Sequence, residues 1–304
     1  MTGRATWTDW SCSVSVVVEE ATRVSAAEQL VRSLMRDVDR AASRFRVDSD
    51  LARVNARAGV LVPVSQLLLD LVDEGLDAAR RTDGLVDPAL GAALAELGYD
   101  DDIAVVRERR AGRSSSPVVS RRPDEVRVDR QLRRVGVAPG SQLDLGATAK
   151  AWTADQAARR IHQRLGTPAL VEIGGDVSAA GIPTSPWRVD VAEVRGGPSE
   201  RVGLDHGAVA TSSVLARRWT HVDGTPGHHV VDPRTGRSTD GPWRTVTVWA
   251  PTAVEANTAS TAALVLGHEA EDWLVDRGLT ARLVDHEGSV RRLGAWPSET
   301  EEAA

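Results

Sequence analysis

The chain has 304 residues, enough for two average domains or one large one, and 41% hydrophobic residues supply ample core. A net charge of −6 argues against nucleic-acid binding, and the single cysteine, Cys12, excludes an intrachain disulfide framework and zinc sites built on paired thiolates. The opening "MTGRATWTDW" has no signal-peptide-like apolar stretch and no later run reaches membrane-spanning length, so a cytoplasmic protein without membrane insertion is expected.

In chain order, residues 12–18 ("CSVSVVV") alternate and then run β-branched, as a strand does. Ser25 and Glu28 form a capping-box pattern ahead of Leu30, Leu34 and Val38, predicting a helix over 26–42. Residues 45–55 read as a turn into a short helix. A second amphipathic helix carries Leu68, Leu71, Val72, Leu76 and Ala79 and stops near Asp83-Gly84. Residues 109–125 have no period and are rich in Ser, Arg and Pro, which predicts a flexible insertion.

Beyond it, "EVRVD" and "RRVGVA" read as a hairpin. A third helix sets Ala147, Ala151, Ala154, Ala158, Ile161 and Leu165 on one face and ends at Gly166. Strands are predicted at 169–173, 187–194 and 243–250, and a hairpin joins "RRWTHVD" to "HHVVD" across "GTPG". Helices over 253–266 and 268–277, closing strands "TARLVD" and "SVRRLG", and a disordered tail at 297–304 complete the reading. Long helices among mostly antiparallel strands define an α+β class, and no repeat of fixed period is present.

Four stretches can carry chemistry. In "DLGATAK" (144–150), Gly146 permits a tight turn, and the helix N-terminus with Lys150 suits an anion; a solvated helix end with a paired lysine explains the same residues. "VEIGGDV" (171–177) fits a backbone approach to a ligand or simply a turn. "HHVVDPRTG" (228–236) sets a Pro-initiated turn, with His228 and His229 on opposite faces of a strand, each open to a structural reading. In "PTAVEANTASTAALVLG" (251–267), Thr252 and Glu255 cap a helix that places Asn257 and Thr261 one turn apart on one face. Those two side chains can face a cation–phosphate pair, or they can bond locally on an alanine-lined packing helix.

The order of the motifs "SRFRVDSDLARVN", "TDGLVDPALG", "DLGATAKAW", "EIGGDV", "VATSS", "HHVVDPRTG" and "VTVWAPTAVEANTASTAALVLG" resembles that of the FAD:protein FMN transferases, the ApbE-type flavin transferases. The resemblance runs from about residue 10 to about residue 294. It implies a single two-lobed α+β domain of T-fold-like kind over the whole chain, with FAD in a cleft between lobes. It also implies transfer of FMN from FAD to a Thr or Ser hydroxyl of an acceptor protein that carries a flavinylation motif, with release of AMP and dependence on Mg²⁺.

By the same resemblance, Ala147 (through its carbonyl), Asn257 and Thr261 are metal ligands, and Asp144 and Lys150 contact FAD and take part in catalysis. Phe45 lies against the isoalloxazine, Trp10 on its other side, and Leu85, Val86 and Asp87 along the flavin and ribityl chain. Val231 is a hydrophobic contact beside the DPRTG turn, Thr211 and Ser212 line the cleft, and His229 is the general-base candidate. The chain departs from the family pattern at Asn257, where aspartate is usual, and at Val86, Ala151, Trp152 and Ser213. An amide oxygen still ligates Mg²⁺ but contributes no charge. The sequence therefore leaves open two further outcomes, an FAD pyrophosphatase and a non-catalytic FAD carrier.

Overall fold

The computed structural model describes residues 1–109, 126–193 and 196–296. Apart from Arg109, the predicted insertion lies outside the described residues, as does the predicted tail. The chain divides into two compact units. The first comprises Met1–Arg32, Lys150–Ala216 and Gly241–Ala304, and the second Ser33–Ala149 and Arg217–Asp240.

The elements are β1 (Gly3–Asp9), β2 (Cys12–Val18), α1 (Val24–Ala42), α2 (Asp50–Asn55), β3 (Val62–Pro63), α3 (Gln66–Arg81), α4 (Gly91–Glu96) and α5 (Ile103–Glu108). They continue with β4 (Val126–Asp129), β5 (Arg134–Val137), α6 (Ala149–Leu165), β6 (Ala169–Ile173), β7 (Asp176–Ala180), β8 (Trp187–Ala192), β9 (Ser199–Leu204) and β10 (Ala208–Ser213). The last group is β11 (Arg218–Thr220), β12 (Pro226–His228), β13 (Val231–Asp232), β14 (Arg237–Ser238), β15 (Trp243–Ala250), α7 (Ala253–Leu266), α8 (Ala270–Asp276), β16 (Thr280–Asp285) and β17 (Val290–Leu293).

The first unit is built on an eight-stranded sheet in the order β1-β2-β6-β7-β10-β15-β16-β17, each neighbour antiparallel to the next. The β8–β9 hairpin closes a core of Leu170, Val177, Trp187, Val189, Val191, Val202, Leu204 and Val209. Helix α7 packs across β7, β10 and β15. It is buried on every side, which its run of alanines permits: a helix without large side chains lets neighbouring backbones approach closely.

Two hairpin turns sit side by side in this unit. Gly174 (φ +61°) and Gly175 (φ +97°) join β6 to β7 with Ile173 opposite Asp176, a two-residue turn that requires positive φ at both positions. Trp10 (φ 49°) and Ser11 (φ 55°) make the equivalent turn between Asp9 and Cys12 without a glycine. A Cβ at Gly174 would lie 3.0 Å from Cys12 Sγ and 3.7 Å from Lys150 Cδ, so the turns adjoin the start of α6.

In the second unit α3 buries Leu68, Leu69, Leu71, Val72, Ala78 and Ala79, and Ser65 caps it by accepting from the Leu68 N–H at 3.2 Å. Gly75 of α3 faces Leu145 and Pro88, with room for a Cβ only at 3.2 Å from each, so the loop before α6 lies tight on the helix. Strands β3, β5 and β4 form a small sheet, and β11–β12 and β13–β14 are hairpins.

Most predicted elements are present, with four corrections. Ser25 does not cap α1, because a 3-10 turn at Ala21–Arg23 runs into the helix and Val24 is already helical. The first ten residues contain β1, and β7, β9 and β10 are strands the sequence pattern does not reveal. "AVATSS" of β10 has few of the bulky residues that mark strands; pairing on both sides, with β7 and β15, makes it one. The hairpin turn falls at 221–225 rather than at "GTPG", since Pro226 and Gly227 pair with Thr220 and Trp219. His229 consequently lies just past the end of β12.

Candidate functional site

In the first unit a polar cluster forms around a carboxylate that is almost inaccessible. Asp176, at the start of β7, is 1% exposed. One oxygen accepts from Lys150 Nζ at 3.1 Å and the other from Asn257 Nδ2 at 2.7 Å. The amide orientation leaves Asn257 Oδ1 facing Thr261 Oγ1, 3.5 Å away on the same face of α7. Ser212 of β10 completes the group, with its hydroxyl 2.9 Å from that of Thr261 and 2.8 Å from that of Ser260. Thr211 points to the other side of β10 and meets the Thr247 hydroxyl at 3.0 Å.

The position of α7 is fixed from its N-terminus. Thr252 accepts from the Glu255 N–H at 3.2 Å, as the capping pattern predicts. A second carboxylate, Asp155 of α6, accepts from the N–H groups of Ala253 at 2.9 Å and Val254 at 3.2 Å, and from the Ser178 hydroxyl at 2.6 Å. Burial raises the pKa of Asp155 above its ordinary value, while the hydrogen bonds from Ser178, Ala253 and Val254 oppose that shift. Asp155, Ser178 and Asp176 thus connect α6, β7 and the helix that bears Asn257.

The second unit holds an aromatic group of Phe45, Tyr99 and Trp219. Phe45 is 42% exposed and meets Tyr99 edge to face at 5.8 Å. The guanidinium of Arg44 lies 4.7 Å from the centroid of Phe45 and 5.0 Å from that of Tyr99, and its Nε is 2.7 Å from Asp144. Tyr99 stacks on Trp219 at 5.6 Å, and burial raises the pKa of its hydroxyl. Asp144 also accepts from the Gly146 N–H at 2.7 Å, which shapes the turn containing Ala147.

The structure therefore brings Lys150, Ser212, Asn257 and Thr261 together. The other expected residues are placed differently. Val86 and Asp87 are buried, the latter accepting from the Ala89 N–H at 2.8 Å, and Leu85 beside them is half-buried. Val231 is 4% exposed and packs with Leu94, Leu97, Tyr99, Ile103, Val106 and Trp219. His229 is half-buried, its N–H donating to the Arg217 carbonyl at 3.3 Å. Trp10 is half-buried in the strained β1–β2 turn. Asp176, Asp155, Ser260 and Arg44 are absent from the sequence-derived list. "GGD" signalled a turn and nothing about its aspartate, and a carboxylate inside the Ala-rich α6 carried no signal at all.

Among the described residues no group of three or more His, Cys, Asp or Glu side chains is placed to hold a metal. The oxygens on offer are hard, the amide of Asn257 and the hydroxyl of Thr261, and such a set suits Mg²⁺ sharing its coordination with waters and substrate phosphates. A soft or tightly held metal does not fit it. Among the described residues no helix is long and apolar enough to cross a membrane.

The fold is α+β, and in its first unit a lysine and a helix-borne amide N–H both donate to one buried carboxylate, with the Asn257 and Thr261 oxygens beside them. Residues 8–283 match the family model described as the ApbE family, and the chain belongs to that family. It is 30% identical over 277 residues to the FAD:protein FMN transferase of Treponema pallidum (strain Nichols), covering 85% of this chain and 76% of the relative. The FAD:protein FMN transferase of Salmonella typhimurium is 28% identical over 307 residues, covering 94% and 84%. Among solved structures, the ApbE protein of Thermotoga maritima superposes with a TM-score of 0.84 at 26% identity, covering 96% of this chain and 97% of that one. The apo flavinyl transferase ApbE of Pseudomonas stutzeri gives 0.78 at 25% identity, covering 96% and 94%.

Proposed function

We propose that this protein is a FAD:protein FMN transferase. Its substrate is FAD, and its second substrate is a protein with an accessible Ser or Thr hydroxyl in a flavinylation motif. The hydroxyl oxygen bonds to the FMN-side phosphorus, the bond from that phosphorus to the bridging oxygen breaks, and AMP leaves. The observation that carries the reading is one connected polar group, in which Lys150 and Asn257 donate to Asp176, Thr261 meets Asn257 and Ser212 meets Thr261. Phosphoryl transfer depends mainly on positioning and charge neutralisation, and these residues offer both.

Lys150 contributes a cation at the first turn of α6, where the helix N-terminus also favours negative charge. Asp176 holds that ammonium in place, and the hydroxyl of Ser212 orients Thr261. Asn257 and Thr261, with the carbonyl of Ala147, would hold Mg²⁺, which when bound neutralises pyrophosphate charge. The ion pair leaves the Lys150–Asp176 couple neutral, so a cation alone would gain little there, and Mg²⁺ would be held chiefly when FAD phosphates share it. Phe45 takes the isoalloxazine face, with Trp10, Leu85 and Thr211 as further flavin contacts. Asp144 works through the turn it shapes. His229 is assigned the hydroxyl proton.

The test is incubation with FAD, Mg²⁺ and an acceptor carrying a Ser/Thr flavinylation motif, with AMP and acceptor mass measured. AMP only with acceptor, together with an FMN-sized mass gain, is expected. AMP without acceptor makes the protein a pyrophosphatase. FAD bound and intact in both conditions removes the enzymatic reading.

A further inference from the structure

We infer that Arg44 is a positioning residue of the flavin site, locking the ring of Phe45 to the turn that leads into α6. The inference rests on the assignment of Phe45 to the isoalloxazine. The Arg44 side chain is only 10% exposed. Its Nε is 2.7 Å from Asp144 Oδ2, and its Nη1 donates to the Tyr99 carbonyl at 2.6 Å. Nε and Nη2 are both buried without a hydrogen bond among the described residues, so the contact with Asp144 is an ion pair.

Taking a guanidinium out of water is costly, and an aliphatic side chain of similar length would fill the same space without that cost. What the guanidinium supplies is geometry. It is a flat fork that can pair with a carboxylate on one edge while its face covers an aromatic ring. Here it does this between Phe45 and Tyr99, 4.7 and 5.0 Å from their centroids. Tyr99 is itself immobilised, stacked on Trp219, whose indole N–H donates to the Leu97 carbonyl at 2.9 Å. On the other edge, Asp144 passes the constraint to Gly146 through a 2.7 Å bond. One side chain therefore sets both the exposed ring and the turn that carries Ala147.

The arrangement differs from a merely structural ion pair in what its loss would change. Arg44→Met keeps the length and removes the fork. Arg44→Lys keeps the charge but cannot cover a ring while holding Asp144 in the same geometry. The experiment measures FAD affinity by fluorescence anisotropy, kcat and KM for FAD, and the thermal midpoint, for these two variants, Phe45→Ala, Asp144→Asn and the Arg44→Met/Phe45→Ala double variant.

Arg44→Met is expected to weaken FAD binding and raise KM by about tenfold or more, with a smaller change in kcat. Arg44→Lys should recover only part of the loss. The double variant should bind FAD no more weakly than Phe45→Ala alone, because the arginine acts through the ring. A folded Arg44→Met protein that binds FAD within about twofold of wild type, or a double variant whose losses add, overturns the proposal. If Arg44→Met does not fold, Arg44→Lys and Asp144→Asn decide by the same criterion. Phe45→Ala with unchanged FAD affinity instead removes the flavin assignment of Phe45, and that result is read with Arg44 intact.

Discussion

The side-chain amide of Asn257 donates to the carboxylate of Asp176 at 2.7 Å, and that carboxylate also holds Lys150 at 3.1 Å. One acid and one base therefore balance in the cluster. Asn257→Asp, which restores the residue usual in the resemblance, would place a second carboxylate against Asp176. The variant is expected to lose about 1–3 kcal/mol of stability without metal, since a buried donor is replaced by a like charge. Mg²⁺ should return that stability and raise the thermal midpoint more than it does for wild type. An undiminished midpoint in metal-free buffer would show that the amide–carboxylate bond contributes nothing to the fold.

Removing the lysine exposes the other side of the same balance. In Lys150→Met, Asp176 remains 1% exposed with its cation gone. Breaking a buried pair by deleting one partner costs about 3–5 kcal/mol, so the urea midpoint should fall markedly and FAD affinity with it. Equal unfolding curves for the variant and wild type would argue that water reaches Asp176.

Asp155 gives a pH-dependent prediction. Its folded pKa is raised above the ordinary value of 3.8, chiefly by burial. Between the unfolded and folded values the native state binds more protons than the unfolded chain, so this group's contribution to stability falls as pH rises through that window and is level above it. Asp155→Asn should flatten that part of the stability–pH profile, which urea unfolding across a pH series would reveal. Asp155→Ala should cost about 3 kcal/mol, because it strands the first N–H groups of α7 and the Ser178 hydroxyl. An Asn variant whose profile keeps the wild-type slope would exclude Asp155 as its source.

The β1–β2 turn makes a prediction of the opposite sign. Ser11 has φ 55°, a left-handed conformation without a glycine. Ser11→Gly should stabilise the protein by roughly 0.5–1 kcal/mol, the left-handed penalty of about 1–2 kcal/mol being offset by glycine's freedom in the unfolded chain. A thermal midpoint below that of wild type would mean the Ser11 side chain contributes more than the strain removes.

Local chemistry made much of this protein legible. The start of α7 follows from Thr252, and the facing of Asn257 and Thr261 from helical spacing. The α+β class follows from alternating and 3.6-residue periods, and the motif order carries the family. Strands such as β10 escaped because small residues become a strand only by being paired on both sides. Val86 and Val231, expected from the resemblance beside the flavin, are both 4% exposed, and hydrophobicity alone could not have foretold that burial.

The sequence by itself determined most of the long helices, the strands with strong alternation and the residue types available for phosphate and oxygen chemistry, because those depend on neighbours within a few positions. Tertiary structure alone decided which acid serves the site. Asp176 meets Lys150 from 26 positions away and Asn257 from 81, and contacts at that separation depend on how strands and helices stack rather than on any local pattern. The same holds for Arg44, whose role arises only when the chain end of α1, Tyr99 and the loop at Asp144 are folded against one another.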